Sequence, residues 1–280
     1  MKAALADGIP TSRLYREVLE SESFREMEGF SDEFLADSRR FLQGYMKKWV
    51  NDPLHQWSRQ WEYSFVYNKL KQFSGTTERF DVLDAGAGVG FFPFYLDKQF
   101  PSANIHCCDY EPLLPAIYEQ LNARHQSHVE FLNNDLKALS YEAESFDVVS
   151  CISVLEHTDN YPLIIDEFHR VLKPGGMLVV TFDISLDGVR DISIDRAAEL
   201  LGLLEARFDG ASGYVETLHA DLSGPDVFTT LTARDMNPGL LPWQGPAFLH
   251  RLKSFAKSGK IGAWPPPLTV FCLGLTKSPT

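Results

Sequence analysis

The chain has 280 residues, 44% of them apolar and 23% charged, proportions of a globular protein with one sizeable core and room for an appended cap. No stretch nears the roughly 20 apolar residues of a membrane-spanning helix, and MKAALADGIPTSR at the start lacks the apolar core of a secretion signal, so a cytoplasmic protein without a membrane partner is expected. The net charge is −12, and residues 130–169 carry nine acids against Lys137 alone, which argues against nucleic acid as a substrate because such affinity comes from neutralising phosphates.

Ser31-Asp32-Glu33 opens a helical pattern over FLADSRRFLQGYMKKWV, which should end near Asn51-Asp52-Pro53 because proline disfavours helical geometry in the residue before it. A second helix is expected from Leu54, with Trp57, Trp61 and Phe65 at i, i+4 and i+8 making one apolar stripe. Arg59 and Tyr63 on it are candidates for holding a cofactor carboxylate, since guanidinium matches carboxylate through two parallel hydrogen bonds. A tryptophan-buried helix with Arg59 solvated is the equal alternative. The polar run SGTTER at 74–79 marks a boundary between a helical cap or lid over residues 1–75 and a second domain over 76–280.

FDVLDAGAGVG at 80–90 is an apolar run ending in Asp84 and followed by Gly86, Gly88 and Gly90. Residues without Cβ tolerate positive φ and let a ligand approach the backbone, so this is a small-molecule turn. A dinucleotide site would need its third glycine at position 91, which is Phe. Tyr67-x-x-x-Lys71 has the spacing of short-chain dehydrogenases, yet it precedes the glycine turn instead of following it, so a nicotinamide-dependent oxidoreductase is a weak rival. Further strands are expected at NIHCCD, ending in Asp109, at VEFLNND, ending in Asp135, at SFDVVSCISVLEH, closing with Glu156 and His157, and at RVLKPGGMLVVTFD, ending in Asp183. Strands at helix-length intervals imply a parallel sheet, whose ligands bind outside the strands' carboxyl ends. Cys107, Cys108, Cys151 and Cys272 have neither disulfide nor metal spacing and read as core residues.

The D-x-G-x-G-x-G turn and the segments after it, over about residues 80–185, resemble the class I S-adenosylmethionine-dependent methyltransferases, and V-L-K-P-G-G before an apolar strand is similar to the small-molecule enzymes of ubiquinone and menaquinone biosynthesis. The resemblance implies a Rossmann-like, seven-stranded α/β sheet with helices on both faces and an antiparallel last strand. It also implies that the glycine loop passes under the methionine part of S-adenosylmethionine. Asp109, with Tyr110 beside it, would meet the ribose, Asp135 the adenine amino group and Leu136 the ring, while Ser153 would line the pocket. The product would be S-adenosylhomocysteine.

SIDRAAELLGLLEARF (193–208) reads as a helix, residues 209–223 are ambiguous, and VFTTLTARD (227–235) and TVFCLGLTK (269–277) read as the late, antiparallel sixth and seventh strands. The aromatic, proline-rich insertion at 236–267 either walls off an acceptor pocket or packs as a surface helix. For the chemistry, His157 is the preferred general base, because imidazole titrates near neutrality, with His219 and Asp183 as second choices. No metal-ligand spacing and no N/D-P-P-Y/F motif appear. The expectation is methyl transfer to oxygen of a small organic acceptor in biosynthesis. N- or C-methylation, or a cofactor-binding protein that does not methylate, remain alternatives, as does a homodimer.

Overall fold

The computed structural model describes residues 5–46, 52–190, 192–243, 247–248, 251–252, 255 and 261–279. The expected end of the first helix at Asn51 and the middle of the 236–267 insertion lie outside these residues.

Three helices lead into the sheet: α1 (Ser12–Leu19), α2 (Glu22–Met46) and α3 (Arg59–Ser74). The second begins nine residues before Ser31, and the third five residues after Leu54, with Trp57, Trp61 and Phe65 all buried as the stripe requires. The parallel strands follow as β1 (Phe80–Ala85), β2 (Ala103–Asp109), β3 (Glu130–Asn133), β4 (Phe146–Ile152) and β5 (Leu172–Ser185), separated by α4 (Phe92–Gln99), α5 (Leu114–His125) and α6 (Tyr161–Val171). Their order is β3-β2-β1-β4-β5, so the chain reverses direction across the sheet between β1 and β4. Alternate strand residues feed two cores: Val82, Cys107 and Val148 face the helices before and just after β1, whereas Leu83, Cys108 and Val149 face α6 and the later helix α7 (Ile194–Glu205). Adjacent Cys107 and Cys108 thus lie on opposite faces, both fully buried, and burial pushes the Cys108 thiol up to about 12.

The late elements correct two expectations. Residues 227–235 are not a strand: Thr230–Met236 form helix α9, after α8 (Tyr214–Leu222). The Thr229 side chain accepts from the Thr232 N–H and the Thr232 hydroxyl accepts from the Thr229 N–H, a capping box that outweighs the β-branched composition. Phe228 is held by stacking on Tyr15, 3.8 Å between centroids. Nor do the described residues hold two late antiparallel strands. The two-residue β6 (Ile192–Ser193) pairs parallel with the end of β5, and among the described residues only β7 (Leu268–Thr276) is antiparallel to it. The outer edge of β7 is met instead by the leading chain, where Gly8 and Cys272 exchange both backbone hydrogen bonds at 2.7 and 3.1 Å. Thr229→Ala is expected to cost about 1 kcal/mol through the lost cap; an unchanged urea midpoint would show that α9 stands without it.

No helix among the described residues is long and apolar enough to cross a membrane.

Candidate functional site

A cleft of about 690 Å³ opens along the carboxyl ends of the strands, a volume within the about 300–1,000 Å³ of small-molecule sites. Its floor follows the strand order. Asp135 and Leu136 come after β3, Asp109 and Tyr110 end β2, and Asp84 and the glycine turn end β1. Ser153, Glu156 and His157 follow β4, the last two on a short 3-10 turn (Leu155–His157), and Asp183 lies near the end of β5. The roof comes from α2 and the start of α3, through Tyr45, Trp57, Arg59 and Tyr63. Thus every candidate cofactor-binding or catalytic residue lines this cleft except His219, which is exposed on α8 and lines no part of it.

The glycines are required by geometry. Gly86 has φ +77°, and a Cβ there would stand 2.7 Å from Val154 Cγ2; Gly88 has φ +53°, and a Cβ there would collide with the Tyr45 hydroxyl. The loop is tied to the second strand by Asp109, whose carboxylate accepts from the Gly88 N–H at 3.0 Å and, through its other oxygen, from the Glu111 N–H at 3.0 Å. Asp135 is exposed and accepts from the Lys137 N–H at 2.9 Å, while Leu136 is buried. Asp84 is buried and accepts from the Ser150 hydroxyl at 3.0 Å. Burial pushes its carboxyl up to about 6 against the pull of Ser150 and Arg59.

At the other half of the cleft sits a charge network built around Glu62, a residue passed over in the sequence. Fully buried, Glu62 accepts from the Ser153 hydroxyl at 2.7 Å and the Thr181 hydroxyl at 2.5 Å with one oxygen, and pairs with Arg59 at 3.1 Å with the other. Arg59 also donates to the Ile152 carbonyl, so its guanidinium is engaged by the protein and is not solvated. The only sequence signal was the Arg59-x-x-Glu62 spacing, which places both side chains on one helix face. Ser153 takes φ +49°, held there by its N–H to Thr181 and its hydroxyl to Glu62. One Glu156 oxygen is buried without a hydrogen-bond partner among the described residues, and burial together with the Glu62 charge pushes this carboxyl up to about 8 although Arg59 pulls it down. Burial thus favours the protonated, hydrogen-bond-donating form of Glu156. Tyr63 packs between Phe91 and Phe92 at 5.2 and 4.6 Å, and burial raises its phenol to about 12. Tyr45 and Arg190 also line the cleft without having been singled out by local patterning, because they arrive from a helix and a connection far apart in the chain.

Residues 83–180 match the family model described as a methyltransferase domain. A demethylmenaquinone methyltransferase of Lactococcus lactis is 34% identical over 113 residues, 40% of this chain and 45% of that protein. One from Leptospira interrogans is 29% identical over 161 residues, 52% of this chain and 63% of its own length. A tRNA N(3)-cytidine methyltransferase of Gallus gallus is 30% identical over 124 residues, 40% of this chain and 34% of that protein. Among solved structures, the cyclase SpnF superposes with a TM-score of 0.52 at 19% identity, covering 83% of this chain and 86% of its own, and shares the fold.

Over residues 83–180 the chain is similar to S-adenosylmethionine-dependent methyltransferase domains. The match spans less than half the length of the first curated relatives, 45%, 34% and 41%. The implied cofactor suits the groups present. The glycine turn along the cleft, the carboxylate at the end of the second strand and the buried, incompletely neutralised Asp84 fit a diol at one point and a cation at another.

Proposed function

We propose that the chain transfers the methyl group of S-adenosylmethionine to oxygen of a small organic acceptor. The observation that carries this is the division of one cleft: Asp84, the glycine turn, Asp109 and Asp135 on one side, and His157, Asp183 and Trp243 on the other. Bound there, the cofactor would supply an electrophilic methyl on sulfur. Everything else falls to the chain. In this reading Asp109 and Tyr110 hold the ribose, Asp135 and Leu136 the adenine, and Gly86, Gly88, Gly90 and Ser153 the methionine end, with Arg59, Tyr63 and Tyr45 closing from above. The helices of residues 1–75 serve as a cap that excludes water, which aids an in-line displacement chiefly through alignment. His157, at the cleft edge, takes the proton from the acceptor hydroxyl as its oxygen attacks, with Asp183 as the second choice.

Calorimetry with S-adenosylmethionine, S-adenosylhomocysteine and NAD tests the reading: both sulfur compounds should bind and NAD should not. Asp109→Ala should weaken binding of both by about 10- to 150-fold, the loss of charge-assisted hydrogen bonds. An unchanged affinity would place the ribose elsewhere. Acidity should matter too. A cation near Asp84 is attracted only by the ionised carboxylate, so affinity for S-adenosylmethionine should hold above pH 6 and fall by up to about tenfold per pH unit below it. Equal dissociation constants at pH 7.5 and pH 5 would mean that Asp84 does not face the positive charge.

The likeness to a cyclase supports a second reading, cofactor binding without methylation. Release of S-adenosylhomocysteine during turnover separates the two.

A further inference from the structure

Beyond Asp183 the cleft ends in two groups that no part of the cofactor reading uses, Arg190 and Trp243. The strand order places them there. The floor residues assigned to the cofactor follow β3, β2, β1 and β4, whereas Arg190 follows β5, at the end of the floor away from β3. Arg190 is half-buried with its guanidinium carbon 5.9 Å from the centre of the Trp243 ring. Among the described residues it has no carboxylate partner, in contrast to Arg59, which Glu62 neutralises at 3.1 Å. The nearby acid Asp187 is already committed: its oxygens accept from the Ser185 hydroxyl and the Val189 N–H at 3.1 Å each, and from the Ala263 N–H at 3.1 Å. The Arg190 N–H donates to the Ser185 hydroxyl at 3.3 Å, so the backbone beneath the guanidinium is pinned. Trp243 is braced edge-on by Trp264 at 6.4 Å.

We infer that the acceptor is a planar molecule bearing a carboxylate, with the carboxylate received by Arg190 and the ring lying against Trp243. This rests on the methyl-transfer reading. Guanidinium presents donors in a planar fork that matches a carboxylate, and it stacks on aromatic faces, so one side chain can serve both contacts. Charge balance favours a monoanion. The guanidinium carries one positive charge, which a carboxylate matches and a phosphate dianion exceeds.

The test uses hydroxybenzoates and hydroxycinnamates, each with its methyl ester and a phosphorylated analogue, scored by thermal shift and by methyl transfer in the presence of the cofactor or its demethylated product. At least one acid should bind about 10- to 100-fold more tightly than its ester. Arg190→Gln should erase that preference while S-adenosylhomocysteine affinity and the melting temperature stay unchanged, and Arg190→Lys should keep part of it. Equal binding of acid and ester, a preference for the phosphate, a preserved acid preference in Arg190→Gln, or no acid binding at millimolar concentration would each overturn the inference. Failure of S-adenosylhomocysteine itself to bind would instead strike the methyl-transfer reading beneath it.

Discussion

His157→Ala is expected to lower turnover by about 10²–10⁴-fold and leave cofactor affinity nearly intact. A neutral hydroxyl is a poor nucleophile until its proton can leave, and the imidazole closes the 3-10 turn after the fourth strand, where it lines the cleft. Burial pushes the carboxyl of its neighbour Glu156 toward the protonated form. The discriminating measurement is the split between turnover and binding. A loss confined to cofactor binding assigns His157 to the pocket wall. If turnover survives in His157→Ala and collapses in Asp183→Ala, the base is the aspartate. If neither matters, alignment alone carries the reaction, and the acceptor is an amine or an oxygen that arrives already ionised. His219→Ala, on exposed α8, serves as a control expected to change nothing.

Glu62→Ala should destabilise the protein by about 3 kcal/mol, with a fall of roughly 6–12 °C in melting temperature. The fully buried carboxylate neutralises Arg59 and satisfies two hydroxyls at once, so its removal leaves a cation and two polar groups under the cleft without their partner. Glu62→Gln keeps an acceptor oxygen and should cost less. Thermal and urea denaturation of the two variants decide the matter; a wild-type midpoint in Glu62→Ala would show that the network is not needed for stability. Because Ser153 owes its left-handed backbone to the same network, cofactor affinity should weaken alongside stability in Glu62→Ala.

Most of the sheet was legible in the sequence for a local reason. A buried parallel strand is a short apolar run, its exit is a polar or glycine residue, and both signals lie within a few adjacent positions, as at Asp84 with Gly86, at Asp109 and at Asp183. The fourth and fifth strands and the Trp57, Trp61, Phe65 stripe are of the same kind. Local composition misled at residues 227–235, where β-branched residues suggested a strand and the reciprocal Thr229–Thr232 cap made a helix. It could not show that the leading chain at Gly8 meets the edge of the last strand, 264 positions away.

The sequence by itself thus determined the strand-end groups of the cleft, each of which sits at the end of its own strand where topology gathers the ends. Only the tertiary structure decided what meets them. Glu62 pairs with Ser153 and Thr181 across 91 and 119 positions, Tyr45 stands over Gly88 from a helix before the sheet, and Arg190 meets Trp243 between two separate connections. His219, equal to Asp183 as a base in the sequence, was left on the surface. The physical reason is range: strand and turn propensities act between neighbours along the chain, whereas the burial of a charge and the choice of its partner are set by whatever distant segments the packed core brings against it.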